Sequence, residues 1–307
     1  MLLHVGYHKT GTTWLQQTVF AEHDGESPFM RPWKNMVIDE LVTPHPLHFD
    51  ADAVRERFHA GLVQARQAGK VPLISAERLS GNPHSGGYDA GDIAHRLAAV
   101  FPQARVLMVI REQTRAILSG YRQYVMVGGA CSLPKYLTPP NAGRARVPWF
   151  RFEHFEYDRL LGVYQKFFGA ENVLVLTHEE LCRDPDVFVS RIINHVGIEP
   201  PKNHHVDRTR RNASVSDFVL NLKRPVNRIF VRDGVNPGGL IDSQRFSRRL
   251  QRLTRIIDSF VPQGVRNSGD QRARNIVREA VGERYRQSNR RLAEMINRDL
   301  AAEGYMM

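Results

Sequence analysis

Residues Leu2–Leu15, LLHVGYHKTGTTWL, decide how this 307-residue chain is read. Leu2, Leu3, His4 and Val5 form a short, mostly apolar run, a strand signal that stops at Gly6. A turn follows, Tyr7-His8-Lys9-Thr10-Gly11, and Thr12-Thr13-Trp14-Leu15 opens a helix. Strand, glycine-bounded loop and helix start make the layout of an anion cradle. Backbone N–H groups converge there, and glycine lets the chain come close to a ligand without a Cβ in the way. Gly6-x4-Gly11-Thr12-Thr13 overlays on the Walker A pattern with one change, since Thr12 stands where that pattern has its lysine. The lysine is Lys9, inside the loop. A nucleoside triphosphatase needs its lysine on the β- and γ-phosphates and an acid for the metal. With that charge moved, the loop suits a shorter anion, with Lys9 beside a bridging oxygen.

Outward from this stretch the chain alternates strands and helices. Val71–Ala76, Ala104–Ile110 and Asn172–Thr177 read as further buried strands, the second a continuous apolar run ending in Arg111. The spacing predicts helices over Thr12–Phe20, Ala51–Ala68, Asp89–Phe101, Thr114–Val125, Arg151–Phe168 and Asp184–Val196, and a brief edge strand over Asn35–Ile38. Glu22–Asp50 and Gly128–Val147 read as long loops, the second lid-like. Beyond Pro201 only helical patterns remain, the longer ones over Ser243–Phe260 and Gln271–Leu300. Such alternation implies right-handed crossovers and a mainly parallel sheet. The fold expected is therefore α/β: three layers, a central sheet of four to five strands, and a C-terminal helical extension. Residues 1–215 would form the core and 216–307 a basic helical extension packed on it as part of a single domain. Ligands bind off the carboxyl ends of such strands. The residues placed there are Tyr7–Thr13, Glu77-Arg78, Arg111 and His178-Glu179-Glu180.

Composition narrows the class. A hydrophobic fraction of 42% supports a core, and the net charge of +11 is concentrated from Arg208 onward. Most of that excess reads as a solvated, arginine-rich helical surface. It also attracts polyanions or an acidic surface. No zinc-finger spacing or RNA-binding signature accompanies it, so nucleic acid is not the expected partner. Two cysteines, Cys131 and Cys182, make neither a disulfide framework nor a metal cluster. With no leader-like segment and no apolar run near the ~20 residues of a membrane span, the expected location is cytoplasmic. Peripheral membrane contact is compatible with the charge. The oligomeric state is not legible.

Arg111 and Ser119, eight residues apart across a strand end and the following helix, supply a candidate second anion site. Together with the first loop they carry a resemblance. The chain resembles the sulfotransferases that use 3′-phosphoadenosine 5′-phosphosulfate (PAPS), a family of P-loop-like fold. Lys9-Thr10-Gly11-Thr12-Thr13-Trp14-Leu15 is similar to that family's 5′-phosphosulfate loop. Val109-Ile110-Arg111 through Ser119-Gly120-Tyr121 is similar to its 3′-phosphate motif. The resemblance extends more loosely through Phe155–Gly197 and fades after about Val215. It implies transfer of a sulfuryl group to a hydroxyl or amine, with PAPS as cosubstrate and no metal. It also implies that His8, Lys9, Thr10, Gly11, Thr12, Thr13, Trp14, Arg111 and Ser119 hold the cosubstrate.

Lys9 would neutralise charge on the leaving oxygen. Ile74-Ser75-Ala76-Glu77 resembles the catalytic-glutamate strand of the glycan-type enzymes, which makes Glu77 the expected general base and His8 the runner-up. The family's basic loop over the 3′-phosphate contains Arg-Lys-Gly, absent here; Arg210 and Arg211 stand in its place. The acceptor is unspecified: a carbohydrate, lipid or small metabolite, with the positive charge favouring an anionic one. Trp33, Tyr136 and Trp149 suit either stacking on it or packing, and His204-His205 either substrate contact or surface. The competing readings are a P-loop kinase-like phosphotransferase and a non-enzymatic basic module that binds polyanions.

Overall fold

The computed structural model describes residues 1–21, 27–33, 36–138, 149–199, 215–231, 239–241 and 244–307. In chain order these form β1 (Leu2–His4), α1 (Thr12–Gln17), β2 (Phe29–Met30), α2 (Met36–Leu41), α3 (Ala51–Gln67), β3 (Val71–Ser75), α4 (Ala90–Val100) and β4 (Arg105–Ile110). Then come α5 (Gln113–Met126), α6 (Leu133–Leu137), α7 (Tyr157–Phe168), β5 (Val173–Thr177), α8 (His178–Arg183) and α9 (Pro185–Val196). The C-terminal third contains α10 (Asp217–Phe230), α11 (Gln244–Ser259), α12 (Gln263–Val281) and α13 (Arg286–Ile296). Two compact units divide the chain. The first comprises Met1–Glu112, Glu153–Thr209 and Tyr285–Met307, and the second Gln113–Phe152 and Arg210–Arg284.

The first unit holds the sheet, five parallel strands in the order β2-β3-β1-β4-β5. The chain leaves β1 toward β3 on one side and returns past it to β4 on the other. β1 is thus the switch point where open α/β sheets form a ligand crevice. Parallel strands are covered on both faces, which is why β4, Arg-Val-Leu-Met-Val-Ile, is apolar almost throughout. Side chains alternate across the pleat. Leu2, Leu73, Leu107, Val109 and Leu176 meet Leu15 and Val19 of the α1 segment and Phe188, Val189, Ile192 and Ile193 of α9. α3 and α7 pack on the strands as well, α3 on β3 and α7 on β4 and β5.

Local chemistry sets the helix ends. The Thr177 hydroxyl accepts from Glu180 N while the Glu180 carboxylate takes Thr177 N, a reciprocal cap that starts α8 directly off β5. Asp184 caps α9 through Asp186 N and Val187 N, with Pro185 in the first turn. α13 closes the unit: Asp158 of α7 is buried and takes Ser288 and Arg291 of α13 as partners.

In the second unit Tyr136 packs against Tyr124, Tyr121 and Phe150, at ring separations of 5.0, 5.4 and 4.8 Å. Arg122 of α5 bridges Asp217 and Asp270 at 2.5 and 2.9 Å.

Three expectations change. Met36–Ile38 lies in a helix, and the edge strand is Phe29–Met30, paired with β3. The region expected as a long loop after Gly128 contains α6, and 139–148 lie outside the described residues. The pattern over Gln271–Leu300 is broken at Gly282 into α12 and α13. Trp33 is buried against Phe58, with ring centroids 5.2 Å apart, and Tyr136 is buried in its aromatic cluster, so both pack. Trp149 is exposed, and His204-His205 lie outside the described residues.

Candidate active site

The loop after β1 is tied down before it turns. Val5 N and Tyr7 N donate to Leu107 O and Val109 O at 2.8 and 3.1 Å, so the backbone follows β4 beyond the strand proper. The Thr10 hydroxyl then donates to Tyr7 O at 2.6 Å, and Leu15 N to Gly11 O at 3.0 Å. Two residues take left-handed backbone, Gly11 at φ 98° and Lys9 at φ 69°. Glycine tolerates this freely; lysine does so at a cost of about 1–2 kcal/mol. A Cβ on Gly6 would lie 2.8 Å from both His4 Nε2 and Thr12 Oγ1, and one on Gly11 2.6 Å from Leu181 Cδ2. The glycines are required by close approach as well as by conformation. Beneath the loop, buried Tyr7 meets Tyr157 and His154, with ring centroids 4.6 and 5.1 Å apart.

Two further strand ends reach this loop. After β4, Arg111 Nη1 donates to Lys9 O at 3.0 Å, while the Tyr157 hydroxyl donates to Arg111 O at 2.7 Å. After β3, a 3-10 turn over Glu77–Ser80 places Glu77. Ala76 N donates to His4 O at 3.4 Å, and Ser80 Oγ lies 2.9 Å from Glu77 O and 3.3 Å from Gly6 O. His8 Nδ1 stands 3.3 Å from Glu77 Oε2. Arg78 forms a two-pronged pair with Asp89, at 3.0 Å for Nη1–Oδ1. Burial would raise the Glu77 carboxyl, but the adjacent His8 and the charges of Lys9 and His4 outweigh it and hold it below the usual carboxylate range.

These groups border a cavity of about 330 Å³, lined by His8, Thr12, Thr13, Gln16, Ser75 and Glu77 among others. Its wall includes a polar set that the sequence reading passed over. Gln16 Nε2 donates to Ser75 O and Oγ at 2.9 and 3.0 Å, and His4 Nδ1 lies 2.8 Å from Ser75 Oγ. The signal was there: His4 and Ser75 are polar residues in apolar strands, and Gln16 follows Thr12 by one helical turn. His4 is fully buried, and burial brings its pKa down to about 3. Thr12 Oγ1 is buried and lacks a hydrogen-bond partner among the described residues. His154 and His84 were likewise not singled out. Burial lowers them to about 3 and about 4.

Comparison with known proteins bears on what the site does. Residues 91–202 match the model of a sulfotransferase family, Sulfotransfer_3. That match spans 112 of the 307 residues, and over that stretch the chain is similar to a sulfotransferase family. The activity that goes with the family is, in general terms, sulfuryl transfer. The crystal structure of a sulfotransferase from Alicyclobacillus acidocaldarius superposes with a TM-score of 0.51 at 16% identity, over 74% of this chain and 92% of that one. The sulfotransferase domain of the Synechococcus PCC 7002 olefin synthase is 14% identical over 82% of this chain and 93% of that one, with a TM-score of 0.38. No curated protein matches the sequence.

Within this sulfotransferase-type fold, the first unit brings together His8–Thr13, Glu77 and Arg111 of the expected site. Thr10 is buried and spends its hydroxyl on the loop itself, while Thr13 is exposed. Trp14 packs against the core that holds Leu15 and Val19. Ser119 lies on α5 in the second unit. Arg210 and Arg211 lie outside the described residues.

Proposed function

We propose that this protein transfers a sulfuryl group from PAPS to a hydroxyl or amine of a carbohydrate, lipid or small-metabolite acceptor. The observation that carries the reading is the meeting of three strand ends at one loop. Lys9 and its neighbours follow β1, Glu77 follows β3, and Arg111 follows β4 with its guanidinium on Lys9 O. The fit to a sulfated and phosphorylated donor rests on this chain's own groups. Thr12 Oγ1 is a buried polar atom without a hydrogen-bond partner among the described residues, on the wall of the cavity that Glu77 and His8 also line.

In this reading His8, Lys9, Thr10, Gly11, Thr12, Thr13 and Trp14 form the seat for the 5′-phosphosulfate. Arg111 and Ser119 take the 3′-phosphate, with Arg210 and Arg211 assigned to the same end from sequence. Lys9 offsets charge on the phosphate oxygen as the acceptor's oxygen or nitrogen bonds to sulfur and the sulfur–oxygen bridge breaks. Glu77 takes the acceptor's proton, and His8 holds its carboxylate in place. Positioning in line supplies much of the rest.

Two measurements test this. Thermal unfolding should shift upward strongly with 3′-phosphoadenosine 5′-phosphate and little with ATP and magnesium; equal or reversed responses would favour a kinase-like phosphotransferase. An acceptor screen with sulfur-labelled PAPS should show transfer that Lys9→Ala abolishes. A protein that binds polyanions through Lys9→Ala and Glu77→Ala unchanged, with steep salt dependence and no transfer, is the basic binding module instead.

A further inference from the structure

Helices of globular proteins turn their apolar stripe inward; α11 does the reverse, and α10 leaves a second apolar row outside. α10 buries Lys223 and Asn227 beside Val219 and Leu220. Lys223 Nζ reaches Asn227 Oδ1 at 2.6 Å, and Asn227 Nδ2 donates to Val125 O and Gly129 O at 2.7 and 2.8 Å. Phe218, Leu222 and Ile229, four and seven residues apart on the opposite side, stand exposed, Leu222 by 55%. α11 buries Thr254 and Asp258, whose carboxylate accepts from Ser216 N at 3.0 Å and Ser216 Oγ at 2.5 Å. Its Leu253, Ile256 and Ile257 point away, as does Phe260 just past its end, 81% exposed. The two helices pack together in the second unit, each anchored by its polar side.

Arginines edge the α11 stripe. At 100° per residue, Arg245, Arg249 and Arg252 cluster around the Ile256 edge of the α11 stripe. An apolar face bordered by arginine is the pattern of a helix that lies in a lipid headgroup region. Among the described residues, no helix is long and apolar enough to cross a membrane.

We propose that α10 and α11 form a docking surface for an anionic phospholipid bilayer. The apolar side chains enter the headgroup–acyl boundary and the guanidinium groups meet lipid phosphates.

The test is sedimentation of the full chain with vesicles of phosphatidylcholine, alone or mixed with phosphatidylglycerol, at low and high salt. No sulfuryl donor is needed, so the result is independent of transfer activity. Binding should require phosphatidylglycerol and weaken with salt. Arg245→Gln, Arg249→Gln and Arg252→Gln should each lower the partition coefficient roughly fivefold. Leu253→Gln with Ile256→Gln and Phe260→Gln should lower it at least roughly tenfold, with circular dichroism unchanged because the side chains are exposed. If that triple variant misfolds, Leu222→Gln with Ile229→Gln on α10 tests the same face. Absence of phosphatidylglycerol-dependent binding, or binding indifferent to these substitutions, overturns the proposal. So does a concentration-dependent dimer that the apolar substitutions break while vesicles go unbound.

Discussion

Arg111 Nη1 donates to the carbonyl oxygen of Lys9 at 3.0 Å, across 102 positions of sequence. The residue proposed for the 3′-phosphate therefore also fixes the residue proposed for the leaving oxygen. Arg111→Lys keeps the charge but loses the fork that can hold a carbonyl and a phosphate together. Its affinity for 3′-phosphoadenosine 5′-phosphate should fall roughly tenfold to a hundredfold, as for a hydrogen bond to a charged group. The loss should be smaller for adenosine 5′-phosphosulfate, which lacks the 3′-phosphate. Calorimetric titration of both ligands decides; an equal loss means that Arg111 acts through the loop alone.

Lys9 separates charge from backbone conformation. At φ 69° the native residue sits where glycine is at ease. Lys9→Gly should match or exceed Lys9→Ala in stability, by about 1 kcal/mol. Both should reduce kcat by roughly 10²–10³ if the ammonium stabilises the leaving oxygen. Urea unfolding and turnover measured side by side check this. Recovery of activity in Lys9→Gly would assign the role to loop shape instead.

Glu77 accepts a proton only as the carboxylate, and its partners hold its pKa below the ordinary value of 4.5. Activity should therefore hold as pH falls toward that value and drop only below it. Taking away His8, the main group lowering the carboxyl, should move this acid limb to higher pH in His8→Asn. Glu77→Gln should lower kcat by roughly 10²–10⁴ with ligand affinity largely kept. A native acid limb that His8→Asn abolishes instead of moving would make the histidine the base.

Buried histidines set an acid limit on the fold. His4 and His154 are depressed by burial from 6.5 to about 3, and His84 to about 4. The unfolded chain takes up protons below pH 6.5, whereas the folded chain does not until far lower. Their contribution is thus complete above pH 6.5 and declines as pH falls through the window down to the folded values. The slope is at most roughly 1.4 kcal/mol per pH unit for each histidine. Urea unfolding at pH 6.5 and 5 should show a steep loss that His154→Phe makes shallower. Equal slopes in the two proteins would place the acid sensitivity elsewhere.

Much of this was legible because the decisive signals are local. β4 is an unbroken apolar run, and the loop after β1 has two glycines that close contacts with His4, Thr12 and Leu181 demand. The misreadings have physical causes. Met36-Val37-Ile38 is too short an apolar run for periodicity to separate strand from helix. β2 is two residues long and exists through its pairing with β3. Glu77 has an arginine beside it in sequence, yet Arg78 pairs with Asp89 and Glu77 with His8. Pair choice depends on tertiary placement, which adjacency does not report. The helical periods of α10 and α11 are plain, but a period says only that two sides differ, not which one faces inward.

Asp158 and its partners on α13 have a consequence for the order of assembly. The carboxylate is enclosed by Ser288 and Arg291, 130 and 133 residues later in the chain. During synthesis from the N-terminus, all five strands emerge long before those partners do. Until Tyr285–Met307 has left the ribosome, the nascent sheet unit carries a carboxylate it cannot enclose. Contacts so distant along the chain also slow closure. Its last step of folding is thus deferred until α13 has been made, an interval when chaperone capture competes with folding.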